Sequence, residues 1–216
     1  MNAADPAILP RREVLGVVLA GGRSQRMRTD KADLADHHGN SLAVRALATL
    51  ADVVEHIAVS GRLDDWVDDL TSFAAAGRAK RWTERCFALP DPEPFQGHGP
   101  LAGLLAAMEA APQRGCSSIL VIPVDMPDID SEALQRLLTE HDRHDDVAVV
   151  AMIDRLQPLV GCYPAALSEI VREALQQRRR SVHQWLDSID YREVRLRDSL
   201  ASNLNHPHEY DNWLNR

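Results

Sequence analysis

Long apolar runs are missing from this 216-residue chain. The most apolar stretch, residues 14–20, falls far short of the ~20 residues a helix needs to cross a bilayer. The opening MNAADPAILPRRE has no apolar segment ahead of a cleavage site, so it is not read as a secretory signal. A basic excess is missing too: 24 Lys and Arg stand against 32 Asp and Glu, a net charge of −8. General nucleic-acid binders usually carry the opposite balance, although a small, locally basic pocket stays open. Cysteine is scarce. Cys86, Cys116 and Cys162 are odd in number, far apart and form no CxxC pair, which suits reduced thiols in a cytoplasmic protein better than a disulfide framework or a zinc site. There is no GK[ST] to complete a phosphate-binding P-loop, and no intact GxGxxG: Gly97, Gly99 and Gly103 are spaced one residue too long and Pro100 intrudes. No internal repeat and no linker appears. Residues 1–13 are expected to be a flexible leader and 14–216 one domain, with no membrane and no nucleic-acid partner.

What is present is an alternation of strand and helix signals. Residues 14–20 form a continuous apolar run, as in a strand covered on both faces. Ser41 caps a helical stretch through Leu50, residues 53–60 read as a second strand, 63–76 as a helix and 80–84 as a short strand. Beyond a proline-containing loop, Leu101, Leu104, Leu105 and Met108 recur at i, i+3, i+4 and i+7, one face of a helix. Residues 117–124 give the strongest strand signal. Leu134, Leu137 and Leu138 mark a helix opened by Ser131, strands follow at 146–153 and 156–163, and Leu167, Ile170, Val171, Ala174 and Leu175 form a last helical face. Strands separated by helices predict an α/β fold, a Rossmann-like three-layer sandwich with a mostly parallel sheet and helices on both faces.

Such sheets bind ligands beyond the carboxyl ends of their strands, near the point where strand order reverses. The residues at those ends are chemically selective. After the first strand come Gly21 and Gly22, then Arg23, Arg26, Arg28 and Lys31. Glycines let the backbone approach an anion and turn N–H donors toward it, and the cationic side chains neutralise phosphate charge. A basic surface turn is the alternative. After the strongest strand stands Asp125, with Pro127 stopping the strand. A carboxylate there suits a Mg²⁺ that bridges phosphate oxygens, or else an Asp that caps a turn. In the loop LPDPEPFQGHGPLAG, Pro100 fits the first position of a helix whose free N–H groups face the pocket; backbone groups there suit reading of a flat base, or else this is an ordinary loop-to-helix start.

The stretch LAGGRSQRM…DK, followed in order by GPLAGL, VIPVDMP, QPLVGCY and NLNHP, resembles the MobA-like nucleotidyltransferases, the relatives of molybdenum cofactor guanylyltransferase. The resemblance spans nearly the whole chain. It implies the nucleotide-diphospho-sugar transferase type of sheet and transfer of GMP from GTP to the terminal phosphate of a molybdenum-bound pterin, with pyrophosphate released. By the same resemblance Leu19, Ala20, Gly21, Gly22, Lys31 and Asp91 contact GTP, Gly99, Pro100, Leu101 and Gly103 line the guanine, Asp125 holds Mg²⁺, and Asn203 and Asn205 belong to the pterin side. Arg26, Lys31 and Asp125 carry the chemistry. The expected partners are GTP and a molybdopterin-type acceptor, with transient contact to other proteins of cofactor biosynthesis and molybdoenzyme maturation, and a monomeric chain.

The chemistry agrees on its own terms. A phosphate monoester is mostly ionised at neutral pH, its second pKa lying near 6, so this acceptor needs no general base. It needs relief of repulsion between two anions and in-line alignment on the α-phosphate. The sequence also departs from the family pattern. Arg28 stands where a glycine is usual, NHPHE replaces NTPED, and DHHGNS lacks an apolar-proline pattern. The alternatives are another nucleotidyltransferase, using CTP or a sugar phosphate, and a non-catalytic nucleotide binder. His141, His144, Asp142, Asp145 and Asp146 read as a solvated loop rather than a metal cluster. His37, His38, His206 and His208 read as surface, and Trp185 and Trp213 as core. The run QQRRRS is either a solvated charge run or an anion contact.

Overall fold

The computed structural model describes residues 11–20, 31–60 and 86–216. The helix expected at 63–76, the strand expected at 80–84 and the glycine–arginine loop with Gly21, Gly22, Arg23, Arg26 and Arg28 lie outside the described residues.

Seven strands form one sheet: β1 (Arg11–Leu19), β2 (Val54–Ser60), β3 (Cys86–Leu89), β4 (Ser118–Pro123), β5 (Ala148–Met152), β6 (Leu156–Pro164) and β7 (Tyr191–Arg195). Their order is β3-β2-β1-β4-β6-β5-β7. β1 lies parallel to β2 and β4, β2 to β3 and β5 to β7, whereas β6 runs antiparallel to β4 and β5. The sheet is mostly parallel, as expected. β1 starts at Arg11, paired with Val54, so Arg11 to Glu13 belong to the sheet and not to the leader. β3 falls where a loop was expected, and β7 was not expected at all.

The helices are α1 (Leu42–Ala51), α2 (Pro100–Ala110), α3 (Ser131–His141), α4 (Ser168–Gln176), α5 (Val182–Leu186) and α6 (Pro207–Leu214). The Ser41 hydroxyl accepts the Val44 N–H at 3.3 Å and starts α1 as predicted. The cap of α3 is Asp130, not Ser131: its carboxylate accepts from Ala133 N–H at 2.9 Å, and a carboxylate there also meets the positive end of the helix dipole. Gly99 precedes α2 with φ +81, and Pro100 takes the first helical position.

Alternate residues of each strand feed two cores. Val14, Val18, Leu120, Ile122, Val149 and Ala151 pack against α1 and α3 on one face. Leu15, Val17, Leu19, Ile119, Val121 and Val150 pack against α2, α4 and α5 on the other. β4 is buried along its whole length, which explains why its sequence shows no polar alternation. Each fully buried Leu, Ile or Val contributes roughly 1.5–3 kcal/mol of transfer free energy.

Candidate functional site

From β1 the chain moves to β2 and β3 on one side, then returns to place β4 on the other. The order therefore reverses between β1 and β4, and the crevice beyond their carboxyl ends is where such sheets bind ligands. Asp125 stands there, two residues past β4, and Lys31 reaches it from a short 3-10 turn, Lys31–Asp33.

The Lys31 ammonium donates to Asp125 Oδ2 at 2.9 Å and to Asn205 Oδ1 at 2.7 Å. Asn205 Nδ2 in turn donates to Asn203 Oδ1 at 2.5 Å, and the backbone N–H of Leu204, between the two asparagines, donates to the Asp125 carbonyl at 2.8 Å. The structure thus joins four residues expected from sequence: Lys31, Asp125, Asn203 and Asn205. An ammonium has three N–H donors, and two of them bond to described residues here. The Asp125 and Lys31 side chains are 23% and 14% exposed, enough to be reached from the crevice yet sheltered from bulk water.

Local structure fixes each participant. Behind Lys31, Asp36 accepts N–H bonds from His38 at 2.8 Å and Asn40 at 2.9 Å, an Asx-type turn that folds the segment back onto α1. Arg45 on α1 donates through Nε to the Pro127 carbonyl at 2.6 Å, pinning the loop that carries Asp125, and its guanidinium lies 3.8 Å from Asp36. On the far side Glu209 accepts from the N–H groups of Asn205 at 2.6 Å and His206 at 2.8 Å. Burial opposes ionisation of Glu209, but these two hydrogen bonds and the neighbouring His206 and His208 outweigh it and hold its carboxyl below the usual range. Arg45 and Glu209 were not expected from sequence. A Glu three residues into a helix is one half of a capping box, but the usual Ser or Thr partner is replaced by His206, which hides the signal.

The nucleotide residues expected from sequence lie farther along the same edge. Leu19 and Ala20 are buried at the end of β1, with Ala20 N–H bonded to the Ser60 carbonyl at 3.0 Å. Asp91 follows β3, which is two strands from β1, and accepts the Gly97 N–H at 3.0 Å. Leu101 is fully buried in the α2 core. Gly103 is closed off as well: a Cβ there would come within 2.6 Å of Ser60 Oγ and 3.0 Å of Leu19 Cδ2. Both shape the wall by packing, and Gly99 and Pro100 are the exposed members of that group. Arg26, Gly21 and Gly22 lie outside the described residues.

Of the other histidines, His141 departs from expectation. His141 is not in a solvated loop: it is 4% exposed at the end of α3, with Nε2 2.8 Å from Ser118 Oγ. His37 is exposed as expected, with its ring centroid 4.8 Å from that of Trp213, and His206 and His208 stack on each other at 5.5 Å. Trp185 and Trp213 are core, as expected. The arginines of QQRRRS are exposed, and none of the three pairs with an acid among the described residues. No group of three or more His, Cys, Asp or Glu able to hold a metal occurs among the described residues. No helix among them is long and apolar enough to cross a membrane.

The chain is similar to known proteins over most of its length. The family model described as the MobA-like NTP transferase domain matches residues 16–193. A Rhodopirellula baltica protein named probable molybdenum cofactor guanylyltransferase is 32% identical over 210 residues, covering 95% of this chain and 91% of its own. One from Rhizobium leguminosarum bv. trifolii, named molybdenum cofactor guanylyltransferase, is 32% identical over 218 residues, covering 94% of each. Among solved structures, molybdopterin-guanine dinucleotide biosynthesis protein A from Archaeoglobus fulgidus superimposes with a TM-score of 0.68 at 19% identity, over 94% of this chain and 97% of its own; at that identity the likeness speaks to the α/β fold alone. With the family match spanning most of the chain, the chain belongs to the MobA-like NTP transferase family.

Proposed function

We propose that the chain transfers GMP from GTP to the terminal phosphate of molybdenum-bound molybdopterin, forming the guanine dinucleotide cofactor and releasing pyrophosphate. The observation that carries this reading is the Lys31 ammonium held between Asp125 and Asn205. It supports the reading because one cation bonds both to Asp125, expected on the nucleotide side, and to Asn205, expected on the acceptor side. Two phosphates must approach each other there, and a fixed positive charge lowers the repulsion between them. No basic side chain needs to remove a proton from an acceptor that is already ionised.

A Mg²⁺ ion fits the residues present. Magnesium is commonly bound through one or two carboxylates, with substrate phosphates and water filling the other positions, and Asp125 offers one partly exposed carboxylate. Asp125 would hold the ion, which when bound would offset charge on the phosphate oxygens. On that side Asp125 also orients Lys31, so its loss removes two functions together. Asn203 and Asn205 orient the acceptor through amide groups, which carry both donors and acceptors and suit a polar ring system with a phosphate attached. The protein acts on these substrates in the cytoplasm, as a monomer.

The test is pyrophosphate release with Mg²⁺ and the pterin acceptor, comparing GTP, CTP, ATP and UTP. Release with GTP well above the other three is expected. Release with CTP alone would keep the mechanism and change the base, and binding of GTP without release would make the chain a non-catalytic relative.

A further inference from the structure

Three residues of the C-terminal segment converge on Asp128, three residues past Asp125. Asp128 Oδ1 accepts the indole N–H of Trp213 at 2.8 Å, and Oδ2 accepts the hydroxyl of Ser202. Arg216 lies 3.6 Å from the same Oδ2 and donates to Ser202 Oγ at 2.8 Å. Ser202 immediately precedes Asn203. Trp213 sits on α6, whose first turn holds the Asn205 N–H through Glu209. One carboxylate therefore grips the asparagine loop from both ends. Trp213 extends that grip to the Lys31 side: its ring is 3% exposed, packs with Leu42 and Leu204, lies under the Arg45 guanidinium at 5.8 Å and stands against His37. Nearby, Tyr210 donates its hydroxyl to the Ala35 carbonyl at 2.7 Å. This C-terminal segment lies beyond the stretch matched by the family model, which ends at residue 193.

We propose that Asp128 is a positioning residue of the transfer site. By engaging Trp213 and Ser202 at once it fixes Asn203 and Asn205 relative to Asp125 and Lys31, and so governs affinity for the phosphate-bearing acceptor rather than for the nucleotide. The proposal rests on the reading above that the asparagines face the acceptor. Its chemistry makes a graded prediction. An asparagine at 128 can still accept from the indole through Oδ1 and donate to Ser202 Oγ through Nδ2; an alanine can do neither. A phenylalanine at 213 keeps the apolar ring and loses the donor.

The experiment measures KM for acceptor and for GTP separately in Asp128→Ala, Trp213→Phe, Ser202→Ala and Asp128→Asn, with circular dichroism to establish that each is folded. Asp128→Ala and Trp213→Phe are expected to raise the acceptor KM about tenfold while the GTP KM stays within about twofold, since small misplacements of positioning groups carry costs of that size or more. Ser202→Ala is expected to raise it about threefold, and Asp128→Asn to restore it to within about twofold of the parent. The Asp128→Ala, Trp213→Phe double variant should be no worse than either single change. Equal rises in both KM values, or an unchanged acceptor KM in folded Trp213→Phe, would overturn the proposal. If the parent protein releases no pyrophosphate with any nucleotide, the functional reading fails, and the side-chain amide resonances of Asn203 and Asn205 decide the positioning claim. Movement of those signals in Asp128→Ala and Trp213→Phe but not in Asp128→Asn sustains it; unmoved signals sink it.

Discussion

Lys31 and Asp125 depend on each other. Lys31→Ala removes a cation from the crevice and leaves Asp125 without its charged partner, so pyrophosphate release should fall by about 10²–10³-fold, the usual effect of losing a group that stabilises transition-state charge. Lys31→Arg is not a safe exchange, because a planar guanidinium cannot occupy the point position that an ammonium shares between Asp125 Oδ2 and Asn205 Oδ1. Asp125→Ala should abolish turnover while the circular dichroism spectrum stays that of the parent, since its side chain is at the crevice and not in either core. His141 acts on stability instead. Burial lowers its pKa, opposed by Asp142 and Asp145, with Arg11 adding to the lowering. The unfolded chain therefore takes up this proton first, near pH 6.5, and stability falls as pH drops below that value toward the lower folded pKa. Above about pH 6.5 the contribution is fully present. Urea midpoints measured across this range should show the decline in the parent protein and lose that part of it in His141→Leu.

Whole elements were unevenly legible in the sequence. Helix starts could be read where a cap is chemically specific, as with Ser41 at α1 and Pro100 at α2, and β4 could be read because six successive buried residues leave no polar alternation. β3 could not: Cys-Phe-Ala-Leu is four residues long and only Leu89 is buried. β7 reads Tyr-Arg-Glu-Val-Arg with no residue fully buried, as an edge strand bordered by solvent permits, so its sequence resembles a loop. The site divides similarly. Lys31, Asp125 and the asparagines stand out because their motifs recur in order, whereas Asp128, Arg45 and Glu209 act through partners on other elements, and no local pattern betrays a contact made across 85 residues, as between Asp128 and Trp213. Two backbone positions test the element boundaries. Gly103→Ala drives a methyl group toward Ser60 and Leu19, and should lower stability by about 1–3 kcal/mol in urea titrations. At the end of α4, Arg178 occupies the left-handed region at φ 58, with its own N–H bonded to the Leu175 carbonyl and that of Arg179 to the Ala174 carbonyl. That is the position where glycine is ordinarily found, so Arg178→Gly should raise stability by about 0.5–1 kcal/mol.

Across the molecule, the three thiols report on the integrity of both cores. Cys162 and Cys116 are buried and Cys86 half-buried, and none is in a disulfide. Burial pushes all three thiols up, Cys86 to about 12, and the thiolate is the reactive form. Alkylation near neutral pH should be slow in the native protein and rapid once urea crosses the unfolding midpoint. A thiol that reacts at native rates with the tertiary structure intact would place a local opening in its part of the sheet. The hydrogen bond from Lys31 to Asn205 joins residues 174 positions apart. Local contacts close early in folding and distant ones close late, because long loops must first lose their freedom. The reacting centre is therefore among the last features to form. During refolding, recovered catalysis should trail recovered helix content, so turnover serves as a gauge of whether the two distant parts of the chain have met.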